Sequence, residues 1–279
     1  MSNWYVHRDR FKDAVSVTTS GDDPMIDMAI ETASRLIDDW LGFHVFPGVE
    51  TRYYTPRDTE RLSFDRPLLD VTALRTDSSG DSSFGTTWAT NQYHLTPYNA
   101  TAENPPQPYW GLEVRTSSTN RLPRGTPRSV ELVGTWGQHN QRDNSSASPA
   151  TGLNATQATF EVGSATAVHV GQTIRLDNEQ MFVTAVATTS GGLLTVERAV
   201  NGTTGATHTS GAALTVYRYG LQVERGCLYQ AQMDFRQGKA DPAFGGSAFG
   251  ESGRMPSAQV DLHPRVRAML RAYYVPRVG

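Results

Sequence analysis

Apolar residues first fall into a regular pattern at Ile26, Ala29, Ile30, Ala33, Leu36, Ile37, Trp40 and Leu41. Spacings of three and four place them on one face of a helix. Asp22-Asp23-Pro24 supplies an acidic cap with proline at an early helical position, and Gly42 supplies a stop. Asp27, Glu31, Arg35, Asp38 and Asp39 fill the other positions and are expected to face solvent. The same period returns at Val223, Cys227, Leu228, Ala231 and Phe235, after Leu221 and before Gly238. It appears a third time at Val266, Met269, Leu270 and Tyr273, in a segment that starts at Asp261 with Pro264 in its first turn. Three helices are therefore predicted, near 24–42, 221–238 and 262–274.

Between the first two helices the period shortens. Thr51–Thr55, Val71–Leu74 and Ser129–Val133 are short β-like runs separated by turn residues, so 51–136 reads as a strand-rich region. Asn104-Pro105-Pro106-Gln107-Pro108 reads as an extended loop. Residues 138–152 are polar and read as a linker. Beyond them, Ala158–Val162, Thr173–Leu176, Gln180–Val186, Leu193–Glu197 and Ala213–Tyr217 are β runs packed into fewer than 70 residues. That density predicts a small inserted barrel or sandwich, with a turn at Asn201-Gly202. The expected fold is α+β: a small helical bundle with a β-rich elaboration in 1–137 and 220–279, and an inserted β domain at 153–219. Ala240–Pro256 contains Gly245, Gly246 and Gly250 and reads as a mobile loop.

Composition narrows the function classes. A length of 279 residues admits two modest domains. The net charge of −3 supplies no overall basic field for nonspecific nucleic-acid binding. Of the 25 Lys and Arg residues only Lys12 and Lys239 are lysines, leaving 25 − 2 = 23 arginines. Arginine is enriched where proteins meet, although a GC-rich genome gives the same bias. The single cysteine, Cys227, excludes an intrachain disulfide and multi-cysteine metal sites; its apolar helical setting predicts a buried, inert thiol. Met1–Ser20 has no apolar core of a secretion signal, and no run reaches the ~18 apolar residues of a membrane span. A soluble, unexported protein is expected.

Catalytic patterns are not found. The seven histidines form no H-E-x-x-H pattern and read as scattered surface imidazoles. There is no G-x-S-x-G elbow and no phosphate loop. Asp77-Ser78-Ser79-Gly80-Asp81 looks superficially like a calcium loop, but it lacks the closing Glu and the flanking helices, so a hairpin turn is expected. The sequons at Asn144, Asn154 and Asn201 have no signal peptide to make them glycan acceptors. Neither catalysis, cofactor nor metal is expected.

Several phrases, in order, resemble the head-to-tail connector (adaptor) proteins of tailed bacteriophages. They are Asp27–Gly42 with Thr51–Tyr54; Thr72–Asp77 with Thr87-Trp88, Tyr93–Leu95 and Pro97–Ala100; Val133-Gly-Thr-Trp-Gly137; Val223–Leu228; and Val260–Tyr273. The β unit at 153–219 interrupts the family's pattern. The resemblance implies a virion protein of the neck, made in the bacterial host cytoplasm, forming a twelve-fold homo-oligomeric ring. Its partners would be the portal protein and a tail terminator or tail-tube protein, with double-stranded DNA passing through the channel without specific binding and with no membrane involved. Another virion ring component, such as a tail terminator or head-completion protein, is the nearest rival, and a β-rich binding module the next.

Portal docking is expected at the C-terminal end, through Arg265, Val266, Arg267, Met269, Leu270, Arg271, Tyr273, Tyr274, Val275, Arg277 and Val278. From Pro256 onward Asp261 is the only acid against four arginines, a local charge of +3, and the apolar stripe needs a surface to cover it. In the family the C-terminus commonly inserts against the portal.

Overall fold

The computed structural model describes residues 3–187, 192–240 and 261–273. The described residues within Met1–Gly42 and Gln141–Val275 form one compact unit, and those within Phe43–Asn140 form another. The fold is mixed α and β, with four helices and two antiparallel sheets among the described residues.

Helix α1 (Arg8–Val15) was not expected from the sequence, because Phe11 is its one buried residue and no apolar period marks it. His7 caps it, its Nδ1 accepting from the Arg10 N–H at 3.1 Å. Helix α2 (Asp23–Leu41) buries Ile26, Ala29, Ile30, Ala33, Ile37 and Leu41, the face read from the sequence, and ends at Gly42 in the left-handed conformation. Asp38 corrects the expected exposed face. It is buried, accepts the Tyr5 hydroxyl and pairs with Arg35 at 3.1 Å, because a segment 33 residues upstream folds over it. Helix α3 (Leu221–Ala240) packs on α2 through Cys227, whose Sγ lies 3.4 Å from Ser34 Oγ, and on α1 through Phe235, whose ring stands edge-on to Phe11. Helix α4 (Pro264–Leu270) continues as a 3-10 turn over Arg271–Tyr273. It lies close on α3: a Cβ at Gly226 would sit 3.0 Å from Val266 Cγ1.

The Phe43–Asn140 unit is built on the sheet β1 (Gly48–Tyr54), β2 (Arg61–Thr76), β3 (Thr86–Thr87), β4 (Tyr93–Thr96), β5 (Tyr109–Val114) and β6 (Val130–Trp136), in the order β1-β6-β2-β5-β4 with β3 on β2. Strand β6 alternates buried and half-buried residues, so Val130, Leu132 and Trp136 meet Leu62, Leu68, Leu74 and Leu112 in one core. Pro67 lies where the β2–β5 register shifts between Ser63 and Leu68, a place where a missing N–H breaks no ladder bond.

The second sheet runs β7 (Arg142–Asn144), β12 (Leu214–Tyr217), β9 (Thr173–Leu176), β10 (Glu179–Ala187), β11 (Leu193–Glu197) and β8 (Thr159–Glu161). The expected barrel or sandwich is corrected: among the described residues these strands form one sheet, not a closed barrel, and its edge strands β7 and β8, each three residues long, are not paired with each other. Strand β7 lies inside the stretch read as a linker. Strand alternation sorts its two faces. Ile174, Leu176, Met181 and Val183 point into a core with Phe160, Leu194, Val196 and Leu214. Thr173, Gln180 and Phe182 lie on the other face and are also buried, Gln180 accepting from Asn201, and Thr173 and Phe182 meeting Asn3 and Trp4. There Thr173 Oγ1 donates to Asn3 Oδ1 at 2.6 Å, and Trp4 meets Phe182 edge-on at 5.5 Å. Gly171, at φ +94°, leaves room for the Trp4 ring, since a Cβ would lie 2.1 Å from Cε3.

Candidate functional site

The residues expected to dock a partner begin at α4. His263 caps the helix, its Nδ1 accepting from the Arg265 N–H at 3.1 Å, and its own N–H donates to Gln230 Oε1 at 3.0 Å on α3. Pro264 occupies the first turn, where no hydrogen bond is lost. Val266 and Leu270 are fully buried against α3, while Met269 and Tyr273 are half-buried. The hydroxyl of Tyr273 donates to Gln222 at 3.1 Å. The inner half of the apolar stripe is thus covered by this chain's own helix. Arg265 and Arg271 are exposed, and the Arg265 guanidinium lies 5.2 Å from the centre of the Tyr229 ring. Arg267 pairs with Asp261. Over 261–273 one acid stands against three arginines, a local charge of +2. Tyr274, Val275, Arg277 and Val278 lie outside the described residues, as does most of the glycine-containing loop.

Other sequence candidates resolve into structural roles. Asp77 accepts from the N–H groups of Ser79, Gly80 and Ser82 at 2.7–3.0 Å and from Ser79 Oγ at 2.7 Å. Those bonds hold its carboxyl below the usual range, led by the Ser79 hydroxyl, and make it a turn. Asn201 and Gly202 both have positive φ, as their turn requires. Asn201 is also buried, its amide donating to Asn3 and to Gln180 at 2.9 and 2.7 Å, so its side chain is engaged in the fold.

The histidines are not all superficial. His139 and His208 are buried. His208 belongs to a polar cluster that no local spacing announces. Glu179 on β10 faces Arg198 bidentately at 2.6 and 2.7 Å and His208 Nε2 at 2.9 Å, and accepts the N–H groups of Ala199 and Ala206 at 3.1 and 2.9 Å. His208 Nδ1 lies 2.7 Å from Asp177. Burial pushes the Glu179 carboxyl up, but Arg198, His208 and the Ala206 N–H outweigh it and hold it at about 2. Every polar atom of the carboxylate is occupied by the fold, so the cluster ties loops together instead of offering a reactive group.

Several arginines are likewise engaged within the chain. Arg8 pairs with Asp23 and Asp27, Arg52 lies over the Trp136 ring, and Arg128 lies over Tyr53. Among the described residues the large apolar side chains left most exposed are Met28 on α2, Leu221 at the start of α3 and Tyr98. Among the described residues no helix is long and apolar enough to cross a membrane. Compared with models of known protein families and with curated proteins, the chain matches none.

Proposed function

We propose that this chain is a structural subunit of a head-to-tail connector ring: a virion neck protein that joins the portal to the tail around the DNA passage and catalyses no reaction. The observation that carries this reading is the order of elements. The phrases that resemble the connector family fall on α2, β1, β2, β4, β6, α3 and α4 in sequence. In that reading the helices are the family's small bundle, the first sheet its β elaboration, and the second sheet an addition peculiar to this chain.

Ring closure needs a heterologous interface repeated about an axis. Exposed Met28 on α2 and Leu221 on α3 offer apolar anchors for it. Portal docking rests on the outer arginines of the C-terminal segment, Arg265 and Arg271, with the residues that follow Tyr273, because Val266 and Leu270 are already spent on α3.

Light scattering of purified protein, alone and mixed with portal rings, tests the proposal. A ring that co-elutes with the portal is expected. A chain ending at Tyr274, or carrying Arg271→Glu, should still fold but bind the portal more weakly, the latter with a reduced salt dependence. A protein that stays monomeric and ignores the portal would refute the connector reading. A ring that binds only tail-tube protein would transfer it to a tail-terminator role.

A further inference from the structure

The N-terminal segment brings His7 and Asp9 against His169, which lies in the turn before β9. One ligand atom from each falls within 4.8 Å of the others, the one such grouping of His, Cys, Asp or Glu side chains among the described residues. Both backbones are fixed. The Arg8 N–H donates to Val170 O at 3.0 Å, the His169 N–H donates to Gln172 Oε1 at 2.8 Å, and Trp4 packs on Gly171. The His7 and His169 rings stack at 4.3 Å with 12° between their planes, and His169 Nδ1 lies 2.7 Å from Asp9 Oδ2. His7 Nδ1 is taken by its helix cap, which leaves Nε2 free to ligate.

We propose that His7, Asp9 and His169 bind a divalent ion of the zinc class and so clasp the start of α1 to the second sheet. Two imidazole nitrogens and one carboxylate oxygen are the donor set that zinc accepts in three-ligand sites, whereas magnesium and calcium favour all-oxygen shells. Bonds of about 2.0–2.1 Å put tetrahedral ligands roughly 3.3 Å apart, so the group must draw inward by about 1.5 Å at its widest. Asp9 and His169 already stand 2.7 Å apart, so the closing movement falls on His7, whose ring must turn out of its stack with His169 to aim Nε2 at the shared ion. Where Nδ1 of the neutral His169 ring ligates, its one N–H sits on Nε2, the Asp9 carboxylate turns from the ring to the ion, and water completes the fourth position. The clasp does not depend on the connector reading.

The test uses the untagged full-length chain stripped with chelator and titrated with Zn2+, then with Co2+ as a spectroscopic reporter, with Mg2+ as control. One equivalent of Zn2+ should bind and raise Tm, and Co2+ should give the intense visible bands of a low-coordinate nitrogen and oxygen site. His7→Ser keeps a helix cap, and His169→Gln keeps a side chain of similar reach. Each should retain the far-ultraviolet circular dichroism of the parent and weaken Zn2+ binding by roughly tenfold or more. Failure of the parent chain to bind Zn2+ at micromolar concentration would overturn the proposal. So would binding that is undiminished in the folded double variant, since the ion would then sit elsewhere.

Discussion

Replacing Glu179 by alanine removes a carboxylate with no exposed surface and strands Arg198, whose side chain is 8% exposed. Two quantities set the cost. A carboxyl held at about 2 instead of its ordinary 4.5 corresponds to about 3 kcal/mol. Breaking a buried pair by deleting one partner costs about 3–5 kcal/mol, because the surviving charge is left uncompensated. The alanine variant should therefore lose about 3–5 kcal/mol, and Glu179→Gln nearly as much, since its NH2 must face an N–H of Ala199 or Ala206 or the Arg198 guanidinium. Urea unfolding followed by hydrogen exchange in peptides from 173–217 localises the loss to the second sheet. The pH dependence provides a separate check. Glu179 is depressed in the folded state, so its contribution is complete above pH 4.5 and disappears as pH falls toward 2. The glutamine variant should lack that component of the slope. A loss under 1 kcal/mol in Glu179→Ala, or an unchanged acid slope in Glu179→Gln, would refute the reasoning.

Burial pushes the Cys227 thiol up to about 12, so Ellman's reagent should react with it only as the protein unfolds; complete labelling within mixing time in native buffer would contradict its position between α2 and α3. Gly171→Ala combines a positive φ with a Cβ that collides with Trp4 and should cost about 2–4 kcal/mol, with Trp4 emission shifted to the red; an unchanged Tm would show that the ring does not pack there.

The sequence made legible those elements whose burial is one-sided and regular. Helices α2 and α3 show their inner faces as spacings of three and four, and five strands of the second sheet stand out as short β-branched runs. Strand β7 does not, because Arg142, Asp143 and Asn144 are all exposed at a sheet edge and carry no alternation. Helix α1 fails for a related reason, since one buried phenylalanine makes no period. Asp38 misleads because a charged residue is presumed wet until a distant tyrosine is known to reach it. The Glu179 cluster was illegible for want of any local spacing, its members being drawn together from strand β10, the turn between β9 and β10, and the connection between β11 and β12. In α4 the stripe was read correctly as a stripe, but periodicity alone does not say which neighbour it meets. Gly226 on α3, small enough to admit Val266, is the residue that supplies the neighbour.

The way residues 3–6 cover the second sheet also orders events during synthesis. Asn3 leaves the ribosome 170 residues before Thr173 and 198 before Asn201, which hydrogen-bond to its side chain. At about 5–20 residues per second, Trp4 spends roughly ten to forty seconds without Gly171 and Phe182, the surface that packs on it. Residues 43–140 hold every strand of the first sheet in one uninterrupted stretch and can close during that interval. A nascent chain arrested once β6 has cleared the ribosome exit tunnel, but before Thr173 emerges, should therefore carry a finished β unit behind a leading segment that is still sticky, and that segment is where a holdase chaperone would be expected to bind.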